Sequence, residues 1–132
     1  MAASLIARQD GLITRRQARE LDFSDQVIRG LRDREEWLPL LPGVYRVGEV
    51  RSTTEQRIRA AWLWAGEPCC VSGISAASWW RLLDEPPLGV QLTIPRTRGL
   101  RPLPGVQIHR RYVQPEDRAF IRGICVTGLA LT

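Results

Sequence analysis

Two helix starts, at Thr14 and Ser24, succeed each other so closely that the first helix has room for about two turns before the chain must break and begin again. Thr14-Arg15-Arg16-Gln17 spells a capping box: the threonine hydroxyl accepts from the Gln17 amide, and the Gln17 side chain accepts from the Thr14 amide. Ala18 and Leu21 then form the apolar stripe of a helix beginning at Arg15, with Arg15, Arg16, Arg19 and Glu20 on its other faces. Asp22-Phe23-Ser24 is a short break ending in the second cap. Phe23 before the cap and Ile28 in the next turn make a hydrophobic staple, which sets the angle between the helices. The second helix is expected over Asp25 to about Arg34, burying Val27, Ile28 and Leu31 and leaving Gln26, Arg29, Gly30 and Asp33 outside. Such a pair occurs in many folds, and an exposed arginine often marks only a solvated face, so the pair gains meaning only together with the segment after it.

That segment is Trp37-Leu38-Pro39-Leu40-Leu41-Pro42-Gly43-Val44-Tyr45-Arg46-Val47, two apolar extended runs about a Pro-Gly turn. Pro39 has no amide to donate and belongs on an edge strand. Pro42-Gly43 suits a type II turn better than the primed turns of tight hairpins. Helix, break, helix and ribbon in this order predict a winged helix-turn-helix occupying residues 1–48. In such a fold the first half of the second helix reaches base edges, and Gln and Arg bond bases bidentately. Ser24, Gln26 and Arg29 are therefore the candidate readers. Arg15, Arg16, Arg32 and, on the wing, Arg46 complete the candidate DNA-binding set.

Gly11-Leu12-Ile13-Thr14-Arg15-Arg16-Gln17-Ala18, the helix begun at Ser24, and the Trp37 to Tyr45 run with its Pro-Gly-Val-Tyr ending together resemble the N-terminal winged-helix domain of AbiEi-type antitoxins of type IV toxin-antitoxin systems. Val71-Ser72-Gly73-Ile74-Ser75-Ala76-Ala77, the run Val90 to Pro95, and Ile124-Cys125-Val126-Thr127 extend the resemblance over most of the chain, each by a modest motif. The resemblance implies an autorepressor that binds double-stranded DNA and counters a nucleotidyltransferase toxin without touching it. Relatives also join this region to a Vsr-like endonuclease domain, so the alternative is the non-catalytic N-terminal part of such a protein. A nuclease needs clustered carboxylates to hold Mg²⁺. Asp33, Glu35, Glu36, Asp84, Glu85, Glu116 and Asp117 stand instead near expected helix ends and turns with no lysine beside them, and catalysis is not expected.

The rest of the chain reads as an α+β continuation. Ala2 to Asp10 is expected as a first helix ended by Gly11, and Gly48 to Ser52 as a polar link at the domain boundary. Thr53 or Thr54 caps a helix to about Ala65, with Ile58, Ala61, Trp62 and Ala65 on one face and Trp64 pointing away, so cover on two sides is expected. Ser72 is expected to cap a helix through Ile74, Ala77, Trp79, Trp80, Leu82 and Leu83, stopped before Pro86-Pro87. The two tryptophans lie in an apolar stripe and read as core rather than as base-stacking platforms. Val90 to Ile94 and Val106 to His109 alternate as strands, with His109 on the wet side.

Between those strands, residues 96–105 form a basic, Gly- and Pro-rich segment, expected as a hairpin loop. Its Arg96, Arg98 and Arg101 are possible accessory phosphate contacts, and Arg110 and Arg111 extend the basic surface. The alternative is a solvated loop whose charges only keep it soluble. Ile124-Cys125-Val126 is a short strand, and Thr127 caps a helix that has barely begun at Thr132. A helix of about five residues cannot hold itself up. The second domain, residues 49–132, is therefore expected to be an incomplete antitoxin-like domain, and the less stable half.

Composition narrows the partners. The formal charge is +5, the pI is near 10.0, and all nineteen basic residues are arginine, which suits phosphate and guanine better than lysine does. No apolar run approaches the roughly 20 residues of a membrane span, and the N-terminus lacks a signal-peptide core, so a cytoplasmic location is expected. Cys69, Cys70 and Cys125, without C-x-x-C spacing, read as reduced buried thiols rather than a zinc site, and neither metal nor cofactor is expected.

Overall fold

The computed structural model describes residues 2–48 and 52–128, a mixed α+β chain in two compact units, Met1–Trp64 and Ala65–Thr132. In the first unit, α1 (Ala2–Arg8) ends before Asp10 and Gly11, both at positive φ, and β1 (Leu12–Thr14) begins at once. The Thr14 capping box starts α2 (Arg15–Glu20), with both of its hydrogen bonds at 3.0 Å. The Gln17 side chain also pairs with that of Gln9 at 2.9 Å, tying the end of α1 to the start of α2. Ser24 caps α3 (Asp25–Asp33), its hydroxyl accepting from the Val27 amide at 3.1 Å.

β2 (Trp37–Leu41) and β3 (Val44–Val47) form the expected ribbon, joined by Pro42-Gly43. Gly43 lies at φ +76°, as the third position of a type II turn demands. Such a turn fits strand twist poorly, and the ribbon carries a bulge between Pro39 and Leu41. Pro39 is on an edge strand, because the sheet order is β1-β3-β2. β1, which was not expected as a strand, fills the other side of β3, pairing Ile13 with Tyr45.

This sheet has two buried faces. Ile13, Ala18, Ile28, Trp37 and Tyr45 make the core beneath α2 and α3, with Leu21, Phe23 and Leu31 packed around it. Phe23 meets Trp37 at 5.3 Å between ring centroids, so the residue before the Ser24 cap joins the same core as Ile28. Val27 departs from expectation: it is 49% exposed, and the stripe of α3 is Ile28 and Leu31. On the other face Leu12 and Val44 pack with Ala60 of α4 (Thr54–Ala65), whose start Thr53 caps. Arg59 bonds the Asp10 carboxylate at 2.7 Å, and Gln56 donates to the Asp10 carbonyl at 2.8 Å. The expected boundary after residue 48 is thus corrected, since α4 up to Trp64 belongs to the first unit. Ile58, Arg59, Ala60 and Ala61 are all buried on consecutive positions, so α4 is covered on more than one side. Residues 49–51 of the expected link lie outside the described residues.

The second unit is built on a five-stranded sheet in the order β6-β5-β4-β8-β7: β4 (Cys70–Val71), β5 (Val90–Ile94), β6 (Val106–Arg110), β7 (Arg118–Ile121) and β8 (Ile124–Thr127). β4 and β7 were not expected as strands. β5 and β6 are parallel, so residues 95–105 are a crossover and not the expected hairpin loop. α5 (Gly73–Trp79) stops short of the expected Leu83: Arg81 takes φ +62°, and Leu82 is exposed. Ser72 makes no cap bond with its side chain; its hydroxyl accepts from Thr93 at 2.8 Å instead. Trp79 is buried in the core, as expected, and donates to the Ile121 carbonyl, whereas Trp80 is half-buried and donates to that of Thr127, both at 2.9 Å. Thr127 is the buried last residue of β8, and the helix it was expected to start, through Thr132, falls outside the described residues.

Candidate nucleic-acid interface

The exposed side of α2 and α3 is built by the two caps, which fix where each helix begins and hence which residues turn outward. On α3, Ser24, Gln26 and Arg29 are exposed, and neither Gln26 nor Arg29 has a hydrogen bond or ion pair among the described residues. Their donors and acceptors are uncommitted. The other arginines of this surface are tied. Arg15 and Arg19 converge on one oxygen of Asp25, at 2.6 and 2.7 Å, while Arg16 reaches Glu20 at 3.4 Å. The hydrogen bond from Arg19, helped by the charge of Arg15, holds the Asp25 carboxyl below its ordinary range, and Asp25 in turn raises Arg19. Arg32 lies over the Tyr45 ring at 5.8 Å.

Arg15 and Arg32 line one hollow of about 430 Å³ with Pro39, Leu40, Leu41, Pro42, Gly43 and Tyr45, between the helices and the ribbon. The Arg15 amide donates to the Gly43 carbonyl at 2.8 Å, which holds the turn of the ribbon against the start of α2. Two cations at an open concave surface can hold an anion such as a phosphate. Arg19, which shares Asp25 with Arg15, was not among the residues expected at this surface. The signal was present in the sequence, because Arg15 and Arg19 stand four apart on one helix face.

Two expected members are displaced. Arg46 comes directly after Tyr45 on β3 and so faces the side of the sheet with Val44, Leu12 and α4; it is half-buried, and its Nε is buried without a partner among the described residues. An arginine in the central strand, on a face covered by a helix, is poorly placed to meet a phosphate. Arg98 is committed to the chain's own backbone: its guanidinium donates to the carbonyls of Ala65, Gly66 (2.7 Å) and Pro68 (3.5 Å). Arg96 and Arg101 remain exposed on the crossover, Arg110 holds the Leu100 carbonyl at 2.9 Å, and His109 is exposed on β6 as expected.

The three cysteines are buried thiols outside any disulfide. Burial pushes the Cys69 thiol up to about 12. No helix among the described residues is long and apolar enough to cross a membrane. No family model matches the chain, and no curated protein matches it.

Proposed function

We propose that the chain is a DNA-binding transcriptional regulator whose first unit is a winged helix-turn-helix, acting as an antitoxin-like autorepressor of a type IV toxin-antitoxin operon. The observation that carries this reading is the order α2, short turn, α3, ribbon, in which Gln26 and Arg29 stand exposed and uncommitted on the helix that would enter a major groove. The charge of +5 and the Arg15 and Arg32 hollow beside the ribbon supply the backbone attraction such a docking needs. The partner is double-stranded DNA carrying the promoter of the chain's own gene, and the functional counterpart is a nucleotidyltransferase toxin.

Fluorescence anisotropy of labelled duplex tests the DNA half of this reading. The promoter duplex is expected to bind at least tenfold more tightly than a shuffled duplex of equal length, with affinity falling steeply as salt rises. Equal binding to the two, or none to either, sinks the reading. The toxin half is tested by co-expression with a nucleotidyltransferase toxin of a type IV system, where this chain is expected to restore growth and continued growth arrest sinks that half.

A further inference from the structure

In the second unit, one transverse row of the sheet gathers Thr93, Cys70, Cys125 and Phe120. Thr93 pairs with Cys70, and Cys125 with Phe120, while Cys70 and Cys125 each stand one residue before the parallel pair Val71 and Val126. The two cysteines therefore sit side by side on adjacent strands. Neighbouring strands are about 4.8 Å apart, within the roughly 4.4 to 6.8 Å between Cα atoms that a disulfide spans. Both side chains line a pocket of about 260 Å³ that also takes in Cys69, Arg111, Tyr112 and Arg118. Nothing in DNA recognition uses this pocket.

We propose that Cys70 and Cys125 are a redox-active dithiol that a hydroperoxide oxidises to an intrachain disulfide. The pair is asymmetric. Interaction with Cys125 pushes the Cys70 thiol up while the same interaction holds Cys125 down, and the charge of Arg118 favours the thiolate at both. Cys125 is thus the attacking sulfur and Cys70 the resolving one. The Cys125 thiolate attacks one peroxide oxygen; the O–O bond breaks, and the leaving hydroxide (or alkoxide) takes a proton to become water (or alcohol), leaving a sulfenic acid. The Cys70 sulfur then attacks Cys125 Sγ, the S–O bond breaks, and the departing hydroxide leaves as water with the Cys70 proton. Two thiols lose two electrons and the peroxide gains them. Cys69 also lines the pocket, but it precedes β4 and the strand register sets Cys70, not Cys69, beside Cys125, so it is expected to stay out of the bond.

The test treats the full chain with one equivalent of hydrogen peroxide. Titratable thiols are expected to fall from three to one per chain, reversibly with dithiothreitol, with the protein still monomeric by non-reducing electrophoresis. Cys69→Ser is expected to lose both of its remaining thiols and to show the Cys70 to Cys125 link by peptide mapping. Cys70→Ser should instead stop at a sulfenic acid that dimedone traps on Cys125. The wild-type thiol count stands without any variant, so a misfolded variant does not blunt the test. Retention of all three thiols, a bond that includes Cys69, or a disulfide between chains overturns the proposal.

Discussion

Arg29 and Arg46 carry the same charge and meet opposite environments. Arg29 projects from α3 with all its donors free, whereas Arg46 lies half-buried on β3 with Nε unpartnered among the described residues. Arg29→Ala is expected to weaken binding to the promoter duplex by about 1 to 3 kcal/mol while leaving shuffled DNA nearly unchanged, because a bidentate base contact discriminates by that amount. Equal losses on both duplexes would remove Arg29 from the reading face. Arg46→Leu is expected to leave the salt slope of binding unchanged and to keep or raise the melting temperature, since it removes a buried unsatisfied donor. A slope flattened by about one ion would restore Arg46 to the interface. Asp25 acts at the same scale. Its folded carboxyl is depressed, so its stabilisation is fully present above the ordinary carboxylate range and is lost as pH falls through the lowered folded value. Acid titration of stability should therefore lose a small component in Asp25→Asn, small because the ion pairs are exposed.

At the scale of elements, the caps and the staple decide how α2 and α3 meet. Thr14→Ala removes one partner of the capping box and is expected to cost about 1 kcal/mol, measured by urea unfolding. Phe23→Ala strips a partly buried ring from Trp37 and the core that holds Ile28, and should cost on the order of 2 kcal/mol. Val27→Ala, on the exposed side of α3, should stay within about 0.5 kcal/mol of wild type. A larger loss at Val27 than at Phe23 would mean that α3 is rotated from the phase described.

At the scale of the whole molecule, each unit has its own sheet, and the crossover 95–105 is a structural part of the second. Arg98→Ala is expected to lower the stability of that unit by about 1.5 to 3 kcal/mol, the range for hydrogen bonds to a charged group, without altering the salt dependence of DNA binding. Arg96→Ala and Arg101→Ala should leave stability unchanged, as both are exposed. Thermal unfolding of the three variants, monitored by circular dichroism, separates the cases.

The sequence alone determined what is local. Thr14 with Gln17, Ser24, Thr53 and Pro42-Gly43 each act within a few residues, and all four take the expected roles. Alternation likewise marked β5 and β6, and a short apolar run marked β8, although the wet face expected of β5 is not there, since Thr93 is buried against Ser72. Tertiary structure decided what depends on a distant partner. Leu12 to Thr14 is too short to announce a strand and becomes one through β3, as Cys70-Val71 does between β5 and β8. Alternation reveals a strand's faces but not its direction, so β5 and β6 were expected as a hairpin and proved parallel. The arginines divide in the same way. Their type and number are in the sequence, but the neighbours that leave Arg29 free, half-bury Arg46 and tie Arg98 to carbonyls arrive only with the fold, because an arginine's role depends on which partners come within hydrogen-bond reach.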